Sequence, residues 1–215
     1  MRLLDSYAQL GANGDHLLGE LLDGRAPGQS RHYPEDDAID HHSGYQWFYH
    51  SHSPDDRPGT AEHGHFHVFA RRPLWARRLH SAAEREFARM AGNPGRPAHT
   101  RHLLGIGIDA KGIPINLFTV NSWVTGDWML SAANTEKLLE RMHLATGHSL
   151  IDAVLESVIT LCRGEIRDLL AARDAALRNF AGADPLANRS LEMLSAVELD
   201  LDRRLVELGA STTTP

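Results

Sequence analysis

The chain has 215 residues, of which 42% are hydrophobic and 23% are charged, and its formal net charge at pH 7 is -6. This composition is typical of globular proteins and argues against intrinsic disorder. An acidic chain lacks the basic surface that binds phosphates, so we expect no nucleic-acid partner. No apolar run is long enough for a membrane span or a signal-peptide core, which predicts a cytoplasmic protein with no membrane partner. The single cysteine, Cys162, excludes an internal disulfide.

The length favours one α+β domain over two full domains. We expect residues 1–215 to form that domain, with an antiparallel sheet of two hairpins over roughly 45–128 and a helical part over roughly 135–209. Helices should cover the sheet, because its strands need a partner for their apolar face.

The first part of the chain predicts short helices followed by a loop. Leucines recur at helical spacing over residues 2–10 and 16–22. Residues 24–44 are polar, contain two prolines and predict a loop. Acidic side chains in this loop precede His41 and His42: Glu35, Asp36, Asp37 and Asp40.

Two aromatic-rich segments at residues 45–52 and 63–69 carry the most informative pattern, because histidines fall at alternate positions. Strand side chains alternate between the two faces of a sheet. The first strand therefore places His50 and His52 on one face. The second places His63, His65 and His67 on one face. Proline, aspartate and glycine between the segments predict a hairpin with a long tip.

An amphipathic helix is predicted over residues 74–91, followed by a second hairpin over 102–123 around the turn Asp109-Ala110-Lys111-Gly112. Gly105 and Gly107 share one face of its first strand and leave that face bare. A bare patch usually lets another element approach closely and less often makes room for a ligand.

The last third of the chain predicts helices. One covers residues 135–146, a long one begins at Ser149, and the last runs from Ser190 to Gly209 with apolar residues at helical spacing. We expect the two long helices to pack as an antiparallel hairpin, which either covers the sheet or forms a homodimer interface.

The histidine pattern predicts a site for a divalent transition metal. Neutral imidazoles bind zinc at about 2.0 to 2.1 Å, and histidines on one strand and its neighbour can reach a common ion. The predicted ligands are therefore all the histidines of the two strand faces: His50, His52, His63, His65 and His67. One ion needs only three or four of them, so the others would orient ligands, transfer protons or have no role at the site.

Spacing does not identify the metal. An all-histidine set suits zinc, copper, nickel or iron, whereas a set that includes Asp55, Asp56 or Glu62 suits non-haem iron. We expect a small-molecule metalloenzyme that performs hydrolysis or oxidation, with Glu62 and His65 as candidate catalytic residues. A non-enzymatic protein for metal handling or sensing remains an alternative; an enzyme site should keep an open coordination position in a concave pocket.

Two resemblances accompany these predictions. The segment HGHFHVF, residues 63–69, resembles the histidine-triad motif of nucleotide hydrolases and transferases, which implies that His65 is the nucleophile toward an α-phosphate. Over a longer span, EHGHFHVFARR and HLLGIGIDAKGIPINLFTVNSWVTGDW resemble a family of uncharacterised bacterial proteins. That resemblance implies one domain running through both hairpins and carries no activity.

Overall fold

A computed structural model describes residues 2–28, 31–51, 61–91, 99–182 and 184–211. Its strands are β1 (Tyr33–Ile39), β2 (Tyr45–Ser51), β3 (Gly64–Arg71), β4 (Thr100–Ile108), β5 (Pro114–Val120), β6 (Trp128–Met129) and β7 (Met193–Glu198). Its α-helices are α1 (Arg2–Asn13), α2 (Gly19–Leu22), α3 (Arg72–Trp75), α4 (Ala82–Ala91), α5 (Ser122–Thr125), α6 (Ala132–Leu139), α7 (Ser149–Leu161), α8 (Arg163–Arg178) and α9 (Leu201–Ser211). A 3-10 turn, Ala76–His80, separates α3 from α4.

The fold is α+β. The main sheet is antiparallel in the order β1-β2-β3-β4-β5-β7, and the short β6 pairs with β4 in parallel. Strands β2 with β3 and β4 with β5 are the predicted hairpin partners. The turn between β4 and β5 is held by Asp109, whose carboxylate accepts hydrogen bonds from the backbone N–H of Lys111 and Ile113, each at 2.8 Å.

One face of the sheet forms the main hydrophobic core with α1 and α7. The strands contribute alternate residues such as Trp47, Phe66 and Ile106, all fully buried. The indole N–H of Trp47 donates to Asp152 of α7 at 2.8 Å, which ties the sheet to this helix. Because side chains alternate, the residues between these core positions lie on the opposite face, and they include His50, His65 and His67.

The region predicted as loop over residues 24–44 contains a strand, so that prediction was wrong for β1. Strand β1 pairs antiparallel with β2, placing Ala38 opposite Trp47. It lies at the edge of the sheet, and edge strands tolerate the prolines and carboxylates that led to the loop prediction.

The prediction of a last helix from Ser190 to Gly209 was also wrong over its first half. The helix predicted from Ser190 begins only at Leu201, because residues 193–198 form β7 and pair with β5. Apolar residues at positions 194, 197 and 201 fit a helix, but pairing along the edge of β5 satisfies the backbone of both strands. The long helix predicted from Ser149 is divided at Cys162 into α7 and α8.

Among the helices in the described ranges, none combines the length and the apolar content that a bilayer crossing requires.

Candidate metal centre

Three histidines of β2 and β3 meet on the face opposite the main core. His50 lies directly opposite His65 in the strand pairing, and His67 follows two positions along β3. Their ring centroids are separated by 4.3 Å for His50 and His65, 4.7 Å for His65 and His67, and 5.2 Å for His50 and His67. One ring nitrogen from each can be chosen so that all three lie within 4.8 Å of one another.

These separations are close to what one ion needs. A tetrahedral zinc ion with bonds of about 2.0 to 2.1 Å separates its donors by roughly 3.4 Å. Small rotations of the rings would therefore close the site. His65 and His67 are buried, with 2% and 1% of their surface exposed, whereas His50 is only partly buried. His50 is therefore the member of the group that contacts solvent.

A carboxylate orients His65. Glu62 Oε1 lies 2.7 Å from His65 Nδ1, and both side chains are buried. The other carboxylate oxygen, Oε2, accepts a hydrogen bond from Asn116 Nδ2 at 2.8 Å. A carboxylate at this position holds the imidazole proton on Nδ1, so the ring presents the Nε2 lone pair, as in many protein metal sites.

A second histidine orients His67. Nδ1 of His67 lies 2.9 Å from Nε2 of His102, which is buried on β4. Burial, together with the neighbouring His65 and His102, holds the pKa of His67 well below 6.5. Burial, followed by the Arg173 guanidinium and His65, lowers the pKa of His102 to about 3. Both rings are therefore neutral at pH 7, which is the form that binds metals.

Two glycines of β4 leave space that side chains of β5 fill. Gly105 lies opposite His67, and a Cβ there would be 2.4 Å from the Phe118 ring. Gly107 lies opposite His65, and a Cβ there would be 2.3 Å from Asn116 Oδ1. The bare patch expected from the sequence is thus occupied by Phe118 and Asn116. The Phe118 ring meets His65 edge-on with centroids 5.0 Å apart.

Aromatic rings pack against the three histidines on the β2 side. Phe48 lies 5.2 Å from His67 and 5.4 Å from Phe69, between ring centroids. His32 stacks on the outer side of this group, with its centroid 3.7 Å from that of Phe48 and its Nδ1 2.9 Å from Asp37 Oδ1. These rings surround the histidines with weakly polar material, which strengthens electrostatic interactions at the site.

The structure brings together three of the residues expected as ligands, His50, His65 and His67, and places Glu62 beside them. His63, also expected as a ligand, does not belong to this group. Its Nδ1 lies 2.8 Å from the hydroxyl of Tyr49. The Tyr49 ring packs against Phe66 on the core face. Three further expected residues lie outside the described residues: His52, Asp55 and Asp56.

Sequence reasoning missed two residues of this site, His102 and Asn116. Strict alternation along β4 would place His102 on the core face with Leu104. A register shift at Val68 and Phe69 of β3 pairs Phe69 with His102, which returns His102 to the histidine face. No sequence signal marks this shift. The pairing of Asn116 with Gly107 was not predictable either, because a second register shift lies between Gly107 and Ile108.

The family model described as Domain of unknown function (DUF6969) matches residues 1–199. The search of curated proteins and the search of solved structures each found no match.

Proposed function

Since the chain belongs to this family, whose description names no activity, we propose from the geometry of the site that the protein binds a divalent transition metal. The ligands are His50, His65 and His67. Glu62 keeps the N–H proton of His65 on Nδ1, and His102 does the same for His67. The Nε2 lone pairs of both rings then bind the metal.

The observation that supports this proposal best is the convergence of three imidazole donors within 4.8 Å. Two of these rings are buried, and each has a partner at its Nδ1 atom. Burying a polar group is unfavourable unless it is hydrogen-bonded, so burying several imidazoles together is less favourable than burying apolar side chains. A metal ion bound by all three would explain why their ring nitrogens lie so close together.

The donor set suits zinc, copper, nickel or iron, since all of these accept imidazole nitrogen. Glu62 is engaged by His65 and Asn116, which makes it an orienting residue for His65 in this proposal. Three protein ligands leave a coordination position for water or a small molecule, as in catalytic zinc sites. We propose a small-molecule metalloenzyme performing hydrolysis or oxidation, and the partial exposure of His50 supports this.

Metal content tests the proposal. The protein should be purified without a metal-affinity tag, stripped with chelator, reloaded separately with zinc, ferrous iron, copper and nickel, and desalted. We expect about one ion per chain for at least one metal. The variant His67→Ala should lose that ion, whereas His41→Ala, which removes an exposed histidine, should retain it. Near-zero content in the wild type for all four metals would refute the proposal.

One observation supports nucleotide chemistry as a second candidate. Glu62 holds Nδ1 of His65, and His65 is the residue that the histidine-triad resemblance makes the nucleophile. A carboxylate at Nδ1 increases the nucleophilicity of the opposite ring nitrogen. The contact of His63 with Tyr49 speaks against this candidate, because it draws one of the three motif histidines toward a core-face tyrosine.

A further inference from the structure

Asn116 carries a buried hydrogen-bond acceptor that has no partner among the described residues. Its Oδ1 atom is inaccessible to solvent and receives no hydrogen bond from them. Leaving a buried carbonyl oxygen unpaired is unfavourable, and native proteins rarely do so without a reason. The amide also contacts Glu62, the carboxylate partner of the proposed ligand His65, which points to a functional reason.

The orientation of this amide follows from its neighbour. Asn116 Nδ2 donates to Glu62 Oε2 at 2.8 Å. Rotating the amide by half a turn would bring Oδ1 against a carboxylate oxygen, placing two acceptors together. The hydrogen bond to Glu62 therefore leaves Oδ1 as the unpaired atom.

The position of Oδ1 places it in the layer of the histidines. It lies 2.3 Å from the point that a Cβ of Gly107 would occupy, and Glu62 Oε2 lies 2.6 Å from the same point. Gly107 is directly opposite His65. Any other residue at 107 would fill this space, so the glycine makes room for the acceptor on the face of β4 that lies toward His65.

We propose that Asn116 is a positioning residue for the molecule that binds at His50, His65 and His67, and that its Oδ1 accepts a hydrogen bond from this ligand. The ligand class is then a small molecule that carries an N–H or O–H donor next to its metal-binding group. This inference rests on the proposed function. A ligand without such a donor would leave the acceptor unpaired and would bind more weakly.

Two matched probes test the inference on the full chain loaded with cobalt(II). Acetohydroxamate and N-methylacetohydroxamate chelate metals through the same oxygens, but only the first has an N–H donor. Binding is followed through the visible spectrum of cobalt. We expect the wild type to prefer acetohydroxamate by about tenfold, the effect of one well-formed hydrogen bond.

The variant Asn116→Leu keeps the branched shape of the side chain and removes both the Oδ1 acceptor and the Nδ2 donor to Glu62, so the ratio of the two probe affinities is the quantity compared. We expect its preference between the two probes to fall to about one. Asn116→Val, which suits a strand, provides a second variant with the same expectation if the leucine variant does not fold.

The outcomes separate this inference from the proposed function. Failure of the wild type to bind cobalt or any of the four metals named above would overturn the metal site and the inference with it. Normal cobalt binding with no preference between the probes in the wild type would overturn the inference alone. The same holds if the preference is equal in the wild type and in a folded variant, because Oδ1 would then be satisfied by a structural water only.

Discussion

His67 and His102 form a hydrogen bond between two imidazole rings, with Nδ1 of His67 2.9 Å from Nε2 of His102. The two residues lie on the neighbouring strands β3 and β4, and the register shift at Phe69 makes the contact. Since both rings are neutral, one nitrogen of the pair donates and the other accepts. A donating Nδ1 on His67 leaves the Nε2 lone pair free, which is the form that the proposed metal site requires.

Replacing His102 should weaken metal binding without removing any ligand. In His102→Phe, His67 loses the partner that fixes its proton and its ring orientation. We expect the metal affinity to fall by about 10- to 100-fold, the usual effect of losing such a partner. His102→Gln is the matched control, because its amide oxygen can accept the same proton and should restore most of the affinity. Competition with a chromophoric chelator measures both; unchanged affinity in His102→Phe would show that the contact does not orient a ligand.

The metal-free protein should become less stable as the pH falls below about 6.5, the value of an unfolded histidine. Burial depresses the pKa of His67 and lowers the pKa of His102 to about 3. The unfolded chain therefore binds more protons across this interval, and stability rises with pH through it. The contribution is complete above pH 6.5 and is lost as the pH falls toward the folded values.

Each such histidine should contribute a slope that averages about 1 kcal/mol per pH unit between pH 5.5 and 6.5 and approaches about 1.4 at lower pH, because the unfolded histidine is only half protonated at pH 6.5. Urea unfolding of the chelated protein between pH 5.5 and 6.5 measures the slope. His102→Gln, which lacks one of the two groups, should show a smaller slope by about this amount, whereas His41→Gln should resemble the wild type. Equal slopes in the wild type and His102→Gln would mean that His102 is not held neutral.

The sequence predicted the face of a side chain correctly where strand residues alternate without interruption. It failed where a register shift between paired strands interrupts this alternation. His50, His65 and His67 were predictable because β2 and β3 pair in register without a break. His102 was not, because a register shift reverses the face that alternation assigns. Strand β7 escaped prediction because its residues also fit a helix, and only the edge of β5 decides between the two. His63 lies just before β3 begins, where strand periodicity does not determine the direction of a side chain.

Substituting Gly105 should destabilise the fold at the site. A Cβ at this position would approach the Phe118 ring to 2.4 Å, and Phe118 is buried with 1% exposed. We expect Gly105→Ala to lower the free energy of unfolding by about 1 to 3 kcal/mol, as overpacked cores do. Gly164→Ala is the control, because this helical glycine has open space around it and alanine favours helices. Urea unfolding at pH 7.5 compares the two; a loss no greater in Gly105→Ala than in the control would contradict the packing.

Chelation should separate metal chemistry from nucleotide chemistry. In a histidine-triad enzyme the imidazole attacks phosphorus directly, so hydrolysis of adenylated substrates would continue in the presence of a chelator. We expect no chelator-resistant hydrolysis from this protein. Assays of the wild type and His65→Ala, with and without chelator, measure this. Chelator-resistant activity that disappears in His65→Ala would favour the nucleotide candidate over the metal site.

X-ray absorption spectroscopy of the zinc-loaded protein tests the histidine ligation most directly, because it counts the imidazoles bound to the ion. We expect three nitrogen donors at about 2.0 to 2.1 Å, with the multiple-scattering pattern of imidazole, and one further light atom. In His67→Ala the imidazole count should fall. A shell of oxygen donors alone in the wild type, or an imidazole count that is unchanged in His67→Ala, would show that His50, His65 and His67 are not the ligands.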